Sequence, residues 1–399
     1  MIENLLTTHL SLLDLSEGLS LYIHIPFCQQ RCYYCDFFTV QGWPRLSQDH
    51  IIQTIIDQTH HSLSVLAPFT LKTVYIGGGT PSLLSIDQLT ALLLPLQAYH
   101  PTEITIEANP ESLSAEWLDT FWHYGGTRLS LGVQSFDLQS LAKVGRIVQS
   151  QSLTNSLSWL KPHAHAVNID LIAGLPRYNH QQMQYDLERI FDFDPGHISF
   201  YCLTIEDGTT LARRPQLVSH EDQRKDWWLA GRDILLQQGY EHYEISNYCK
   251  NGQYSLYNTR VWHMSNYLGI GPGAMSTLRL KNQHALRIAG VKDLKLWRDT
   301  PTSSQLYTHQ IVSPSDFLFE HFMMGWRTQF GVDLTRLAHY FGQASIDHLQ
   351  PFFDQYANIW QWVDHSIVLA PDERLFLDQH LVKLLQYIEK RPMPTTTVS

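Results

Sequence analysis

The sequence predicts an α/β fold: an incomplete barrel of six strand–helix units, an extension, and a small helical C-terminal domain of winged-helix character. Three observations predict it. Strand-like and helix-like segments alternate from residue 20 to about 205, the pattern of a parallel sheet with helices outside. Polar residues gather at the carboxyl ends of these strands, the face on which such barrels carry their active sites. Beyond about residue 305 the pattern turns helical, with one hairpin.

The expected strands cover residues 21–25, 73–76, 103–108, 127–133, 166–172 and 197–203. Helices are expected over 48–65, 86–97, 115–124, 138–143 with 150–160, and 180–191. In the extension, 221–238 reads as a helix with Trp227, Gly231, Ile234 and Leu235 on one face and Gly239 as its stop. Residues 240–247 read as a further strand, followed by the glycine-rich stretch from Gly269 to Gly273. Phe319, Phe322, Met323 and Trp326 have helical spacing, as do Leu381, Leu384, Leu385 and Ile388, and 359–363 with 367–369 flank Asp364-His365 as a hairpin. The division expected is an N-terminal segment to 19, a core over 20–205, an extension over 206–304, a C-terminal domain over 305–390 and a disordered tail over 391–399.

The 399 residues are 44% apolar and 17% charged, an ordinary water-soluble composition. A net charge of -10, from 28 basic and 38 acidic residues, argues against a global grip on nucleic acid. The 21 histidines are mostly scattered singly and read as surface or satisfied core residues. The segment before Gly18 carries Glu3, Asp14 and Glu17 without lysine or arginine and does not read as a targeting signal. No apolar run has membrane-spanning length. Five cysteines in so long a chain make no disulfide framework, and a reducing, cytoplasmic setting is expected. Cys202 and Cys249 read as ordinary thiols.

Chemistry concentrates at Cys28-Gln-Gln-Arg-Cys32-Tyr-Tyr-Cys35, just after the first strand. A closed zinc site normally takes four ligands. Three thiolates suit a four-iron cluster that keeps one iron open for a ligand. Packing cysteines, or a zinc site completed by His24 or Cys202, are the competing readings. Arg31 brings positive charge to the thiolates, and Tyr33, Tyr34, Phe37 and Phe38 bring an apolar wall.

Together, Tyr22-Ile-His-Ile-Pro-Phe-Cys28, Cys32 and Cys35 resemble the signature of radical S-adenosylmethionine (SAM) proteins, within the branch holding oxygen-independent coproporphyrinogen III oxidases and haem chaperones. The resemblance runs nearly end to end. It implies that Cys28, Cys32 and Cys35 bind a [4Fe-4S] cluster, that SAM chelates the open iron, and that an electron from the cluster cleaves SAM to a 5′-deoxyadenosyl radical. It implies that Gly78, Gly79 and Thr80, in the Gly77-to-Pro81 loop, receive the amino acid part of SAM. Glu107 matches a SAM-binding acid; Gln134 and Arg146 match further SAM contacts, the arginine suited to a carboxylate. Asp170 matches a ribose acceptor and Tyr22 a cofactor-side aromatic, with Tyr201 and Cys202 near the adenine. Tyr243 to Tyr248, Tyr267 to Ala274 and Phe330 to Asp333 also resemble this branch.

The finer assignment rests on departures. The oxidases carry a further cysteine where Phe37 stands, and a long N-terminal extension before the first strand; both differences favour a chaperone. The chaperone pattern HNxxYW appears as Tyr257-Asn258-Thr-Arg-Val261-Trp262, lacking its histidine and tyrosine, while His263 reads as a surface residue, with a stand-in for the missing histidine as the competing reading. Val148 stands where a histidine is usual. The resemblance therefore implies a haem chaperone that binds haem and a SAM-coordinated cluster and delivers haem to an acceptor protein. The alternative is an oxygen-independent coproporphyrinogen III dehydrogenase, which releases two carbon dioxides. Flavodoxin or ferredoxin would serve as electron donor. A radical enzyme acting on RNA is disfavoured by the acidic balance.

Overall fold

The computed structural model describes residues 2–391, so the tail expected over 391–399 lies, apart from Arg391, outside the described residues. The expected α/β architecture is present. Strands β1 (Leu19–Ile25), β2 (Leu71–Gly78), β3 (Glu103–Ala108), β4 (Arg128–Gln134), β5 (Val167–Ala173) and β6 (His197–Cys202) run parallel in sequence order. Helix α1 (Ile2–His9), which the sequence did not signal, precedes them and buries Ile2 and Leu6. Helices α2 (Arg45–Leu66), α3 (Ile86–Leu93), α4 (Ala115–His123), α5 (Leu138–Lys143) with α6 (Ser150–Leu160), and α7 (His180–Phe193) connect the strands. The helix expected over 86–97 stops at Leu93 and continues as 3-10 turns over Leu94–Tyr99, because Pro95 has no N–H to extend the α-helical ladder.

The six strands do not close on each other. After α8 (Glu221–Gln237), the short strands β7 (Glu241–His242) and β8 (Asn247–Cys249) pair antiparallel, and β8 takes the free edge of β6. Beyond α9 (Leu256–Trp262), β9 (Tyr267–Ile270) takes the free edge of β1 in parallel. The antiparallel strands β10 (Met275–Arg279), β11 (Ala285–Gly290) and, after α10 (Leu294–Asp299), β12 (Tyr307–Val312) continue the sheet outward. Among the described residues the result is a twelve-stranded sheet whose middle is an open barrel. The single strand expected over 240–247 is thus a hairpin. Glu244 bends it by accepting the Ser246 N–H through its carboxylate at 2.9 Å.

Strand alternation divides the barrel. Val74, Ile76, Ile104, Ile106, Leu129, Leu131, Ile169, Leu171, Ile198 and Phe200 are fully or almost fully buried in a core shared with the helices. The intervening positions are polar or aromatic: Tyr22 and His24; Tyr75; Thr105 and Glu107; Arg128 and Ser130; Asn168 and Asp170; His197, Ser199 and Tyr201. They face inward, and most line a cavity.

A second apolar core belongs mainly to α11 (Pro314–Gly325), α12 (Leu334–Phe341), α13 (Gln343–Gln355) and α14 (Leu377–Lys390). A small sheet of β13 (Val332–Asp333), β15 (Ser366–Leu369) and β14 (Trp360–Val363) forms its wing, with the expected hairpin at Asp364-His365. Trp326, fully buried, stacks on Trp360 with ring centroids 4.7 Å apart and lies 5.0 Å from Phe322. Trp326→Ala is expected to destabilise this region by about 3–5 kcal/mol. Chemical denaturation checks it; an unchanged unfolding midpoint would contradict the packing role.

Candidate functional site: a cysteine loop over a polar barrel cavity

Residues 26–38 cross the carboxyl end of the barrel between β1 and α2. Reciprocal bonds close the neck of this loop: Cys28 N to Val40 O (2.9 Å) and Val40 N to Pro26 O (2.8 Å). His24 on β1 reaches the carbonyl of Phe38 through Nε2 (2.9 Å) while Nδ1 meets Tyr22 Oη (2.9 Å). Tyr33 N donates to Val144 O, Leu211 N donates to Tyr33 O, and the Arg214 guanidinium lies 4.6 Å from the Tyr33 ring centroid. The loop is therefore tied to β1, to the segment after α5 and to the segment after β6. None of these ties uses a cysteine side chain.

Cys28, Cys32 and Cys35 are free, half-buried and line one cavity of about 400 Å³. Burial pushes the Cys28 thiol up to about 11, even though Thr80 Oγ1 donates to its Sγ at 3.6 Å. Burial also pushes Cys35 up. Thiols so placed ionise readily only against a strong local positive charge, which bound iron supplies. His24 is excluded as a fourth ligand because both ring nitrogens are engaged. Among the described residues no three His, Cys, Asp or Glu side chains close on a single ion. Three free thiols lining one cavity fit a cluster in which each binds its own iron.

The same cavity is lined by Gly78, Gly79, Thr80, Glu107, Gln134, Arg146 and Asp170, every expected cofactor residue except Tyr22. Tyr22 lies behind the lining. Its hydroxyl is engaged by His24 and its ring stacks on Tyr75 with centroids 6.2 Å apart. The glycines are demanded by protein neighbours as well as by ligand clearance. A Cβ on Gly78, at φ +113, would lie 2.6 Å from the His24 ring, and one on Gly79 would lie 2.5 Å from the Phe27 carbonyl oxygen.

Glu107 accepts Tyr75 Oη–H at 2.8 Å and Gly78 N–H at 3.0 Å. Burial nevertheless raises its carboxyl to about 7, with the nearby Asp170 acting in the same direction. Asp170 accepts from Ser130 Oγ (3.0 Å) and Asn168 Nδ2 (2.8 Å), and burial pushes its carboxyl up too. Two half-buried carboxylates in one cavity favour a cationic ligand. Gln134 sits at φ +69 where the β4–β5 register shifts, a bulge that re-aims a strand-end side chain. Arg146 is 5% exposed. It donates to Gly132 O and Asn109 Oδ1, lies 3.7 Å from Glu111, and leaves Nε without a partner. That arrangement can meet a ligand carboxylate.

Sequence reasoning missed the lower half of the barrel. His197 joins Asn168 Oδ1 (2.6 Å) and Tyr243 Oη (2.7 Å), and Asn168 continues to Ser130 and Asp170. Burial holds His197 well below its usual range, in the neutral form. Arg128, Ser255 and Asn258 also line the cavity. The signal was the period-two polar pattern within β4, β5 and β6, which attention to strand ends alone overlooks. His263 also differs from the surface residue expected: it is half-buried, edge-on to Phe330 at 5.7 Å, and burial lowers it to about 4.

Residues 22–190 match the radical SAM superfamily, the class that this barrel and its cysteine loop define. The heme chaperone HemW of Escherichia coli is 31% identical, covering 87% of this chain and 95% of its own. HemW of Haemophilus influenzae is 32% identical, covering 91% and 97%. The solved coproporphyrinogen III oxidase HemN of Escherichia coli shares the fold, with a TM-score of 0.75 at 20% identity over 93% of this chain and 90% of its own. The chain belongs to the HemW/HemN-like family of radical SAM proteins, and membership implies a [4Fe-4S] cluster and SAM. Among the described residues no helix is long and apolar enough to cross a membrane.

Proposed function

We propose that this protein is a haem chaperone: it binds haem, keeps a SAM-coordinated [4Fe-4S] cluster, and hands haem to an acceptor protein in a reducing, cytoplasmic setting. In this reading Cys28, Cys32 and Cys35 hold the cluster. Gly78, Gly79, Thr80, Glu107, Gln134, Arg146 and Asp170 hold SAM. When bound, the pair supplies one-electron chemistry drawn from a flavodoxin or ferredoxin. The barrel over 20–205 with its extension carries this site; β12 belongs to the main sheet, so the extension runs past the expected 304 to Val312 and the C-terminal domain starts at α11 rather than at 305.

The observation that carries the reading is the rim of the cavity. Phe37, at the position where the oxidases carry a further cysteine, is 64% exposed. Tyr201 on the same cavity is 41% exposed. Ile147, whose N–H donates to the cavity-lining Gln30, is 69% exposed. Large apolar groups left in solvent around a cavity mouth suit a flat apolar ligand, and Arg31 on the same rim suits its carboxylates. The two HemW relatives, matched over nearly their full lengths, support the same reading.

The test is a haem titration beside an anaerobic incubation with coproporphyrinogen III, SAM and reductant, on one reconstituted sample. The expected result is a stoichiometric haem-dependent absorbance change and no protoporphyrinogen. No spectral change on titration would defeat the chaperone reading, and protoporphyrinogen formation would establish the oxidase instead.

A further inference from the structure

The segment from Tyr257 to Trp262 stands where the family's HNxxYW pattern falls, and nothing so far gives it a task. Its helix α9 covers the amino-terminal end of β2 and β3 with Tyr257 turned inward and Leu256 outward. Glu103, the first inward residue of β3, holds its start: the carboxylate accepts the N–H groups of Leu256 (3.0 Å) and Tyr257 (2.9 Å). Ser255 caps the same turn by accepting Asn258 N–H at 3.3 Å. Ser255 and Asn258 line the cavity floor.

Tyr257 is 8% exposed. Its ring centroid lies 5.0 Å from that of Tyr75 and 6.4 Å from that of Tyr22. Tyr75 in turn donates its hydroxyl to Glu107. The packing leaves no slack above: a Cβ on Gly77 would stand 2.9 Å from Tyr75 Cε1 and 3.0 Å from Glu107 Cδ. Tyr75 is thus fixed from one side by Tyr22, from below by Tyr257, and from above by Gly77 and Glu107. A residue at position 257 therefore meets the cofactor cavity through Tyr75, buried away from the exposed rim where a haem would lie.

We infer that Tyr257 is a positioning residue for SAM: it backs the Tyr75 ring so that the Tyr75 hydroxyl aims the Glu107 carboxylate at the ligand's ammonium group. Position 257 accordingly serves the cofactor. The inference rests on the reading that Glu107 holds SAM. The groups facing Glu107 are Tyr22 from β1, Tyr75 from β2, Asp170 from β5 and Tyr201 from β6. Tyr75 and, from the loop after β2, the Gly78 N–H donate to it, and a lost donor to a carboxylate makes its charged form harder to keep. Binding of a cationic ligand then needs a higher pH.

The experiment is a double-mutant cycle on the anaerobically reconstituted protein. SAM affinity is measured by calorimetry from pH 5.5 to 8.5 for the parent, Tyr75→Phe, Tyr257→Leu and the double variant. Tyr75→Phe keeps the ring and is expected to weaken SAM about threefold to tenfold at neutral pH, with the pH midpoint of binding moved up. Tyr257→Leu is expected to move it the same way, and the double variant to add little, because both changes remove one hydrogen bond. Haem stoichiometry should be that of the parent throughout. If Tyr257→Leu does not fold, Tyr257→Met, which fills the space without a flat ring, takes its place in the cycle with the same expected shift. Additive losses, an unmoved midpoint in the Tyr257 variant, or loss of haem with SAM binding intact would each overturn the inference. Failure of the parent reading is separately visible: Glu107→Gln would then bind SAM as the parent does.

Discussion

Anaerobic reconstitution of Cys32→Ala is expected to yield protein with no brown iron–sulfur absorbance and iron near background. Three thiols are the whole protein ligand set in the proposed reading, so loss of one leaves the cluster held at two corners. No neighbour is placed to substitute. His24 is committed to Tyr22 and Phe38, and Cys202 lies at the end of β6, on the segment across the cavity. The loss should be local. The loop is held by Cys28 N to Val40 O, Val40 N to Pro26 O, Tyr33 N to Val144 O and His24 to Phe38 O, all of which survive the substitution. Tyr34 and Arg146 lie against Cys32 and retain each other. The apo variant should therefore unfold within about 0.5 kcal/mol of the apo parent. Cys249→Ala is the control: Cys249 is buried on β8, outside the cavity lining, and its loss should leave the iron content at the parent value. An unchanged spectrum and iron content in Cys32→Ala would refute the ligand assignment.

The barrel was legible because each of its six parallel strands is an apolar run ended by a polar group, and each helix has a clear apolar period. β3, α5 and α6 fall on the expected residues. The site was legible wherever function places residues in short local motifs, as at Cys28 to Cys35 and Gly77 to Pro81. What was not legible is built from distant segments. Nothing in the sequence around Tyr75 announces that Glu107, 32 positions on, will accept its hydroxyl. Nothing around Glu103 announces that it caps a helix 153 residues away. Helix α1 escaped notice because it is short and stands on α2 rather than on its own propensity. The β7–β8 hairpin was read as one strand because Tyr240 to Asn247 alternates acceptably; the bend comes from a side chain bonding its own backbone two residues on. Tyr22 matches a cofactor-side aromatic by resemblance alone, and the Tyr75 ring stands beside it and takes the lining position.

Glu107→Gln is expected to weaken SAM binding about tenfold to a hundredfold at pH 8, the range for a charge-assisted hydrogen bond replaced by a neutral one. It should also erase most of the pH dependence. In the parent, the Glu107 carboxyl titrates near 7 before ligand arrives. A cationic ligand selects the ionised form, so SAM binding expels a proton below that pH. Parent affinity should then fall by up to about tenfold for each unit below 7, while the glutamine variant keeps only the part of the dependence that Asp170 contributes. Stability should move oppositely. The folded-state value is raised above the ordinary carboxylate value of 4.5, so the apo fold is unburdened below about 4.5 and loses stability as pH climbs from there towards 7. Glutamine does not ionise, and apo Glu107→Gln should be more stable than the apo parent at pH 8, by on the order of 3 kcal/mol at most. Asp170, raised in the same direction by burial, retains part of the dependence in both proteins. Calorimetric titration at pH 6, 7 and 8, with denaturation of the apo forms at the same values, separates the two effects. A carboxylate that weakens the empty fold and tightens the filled one is one whose geometry was selected for a cation. Parent affinity that is flat with pH, together with a Glu107→Gln variant of parental affinity, would remove Glu107 from the site.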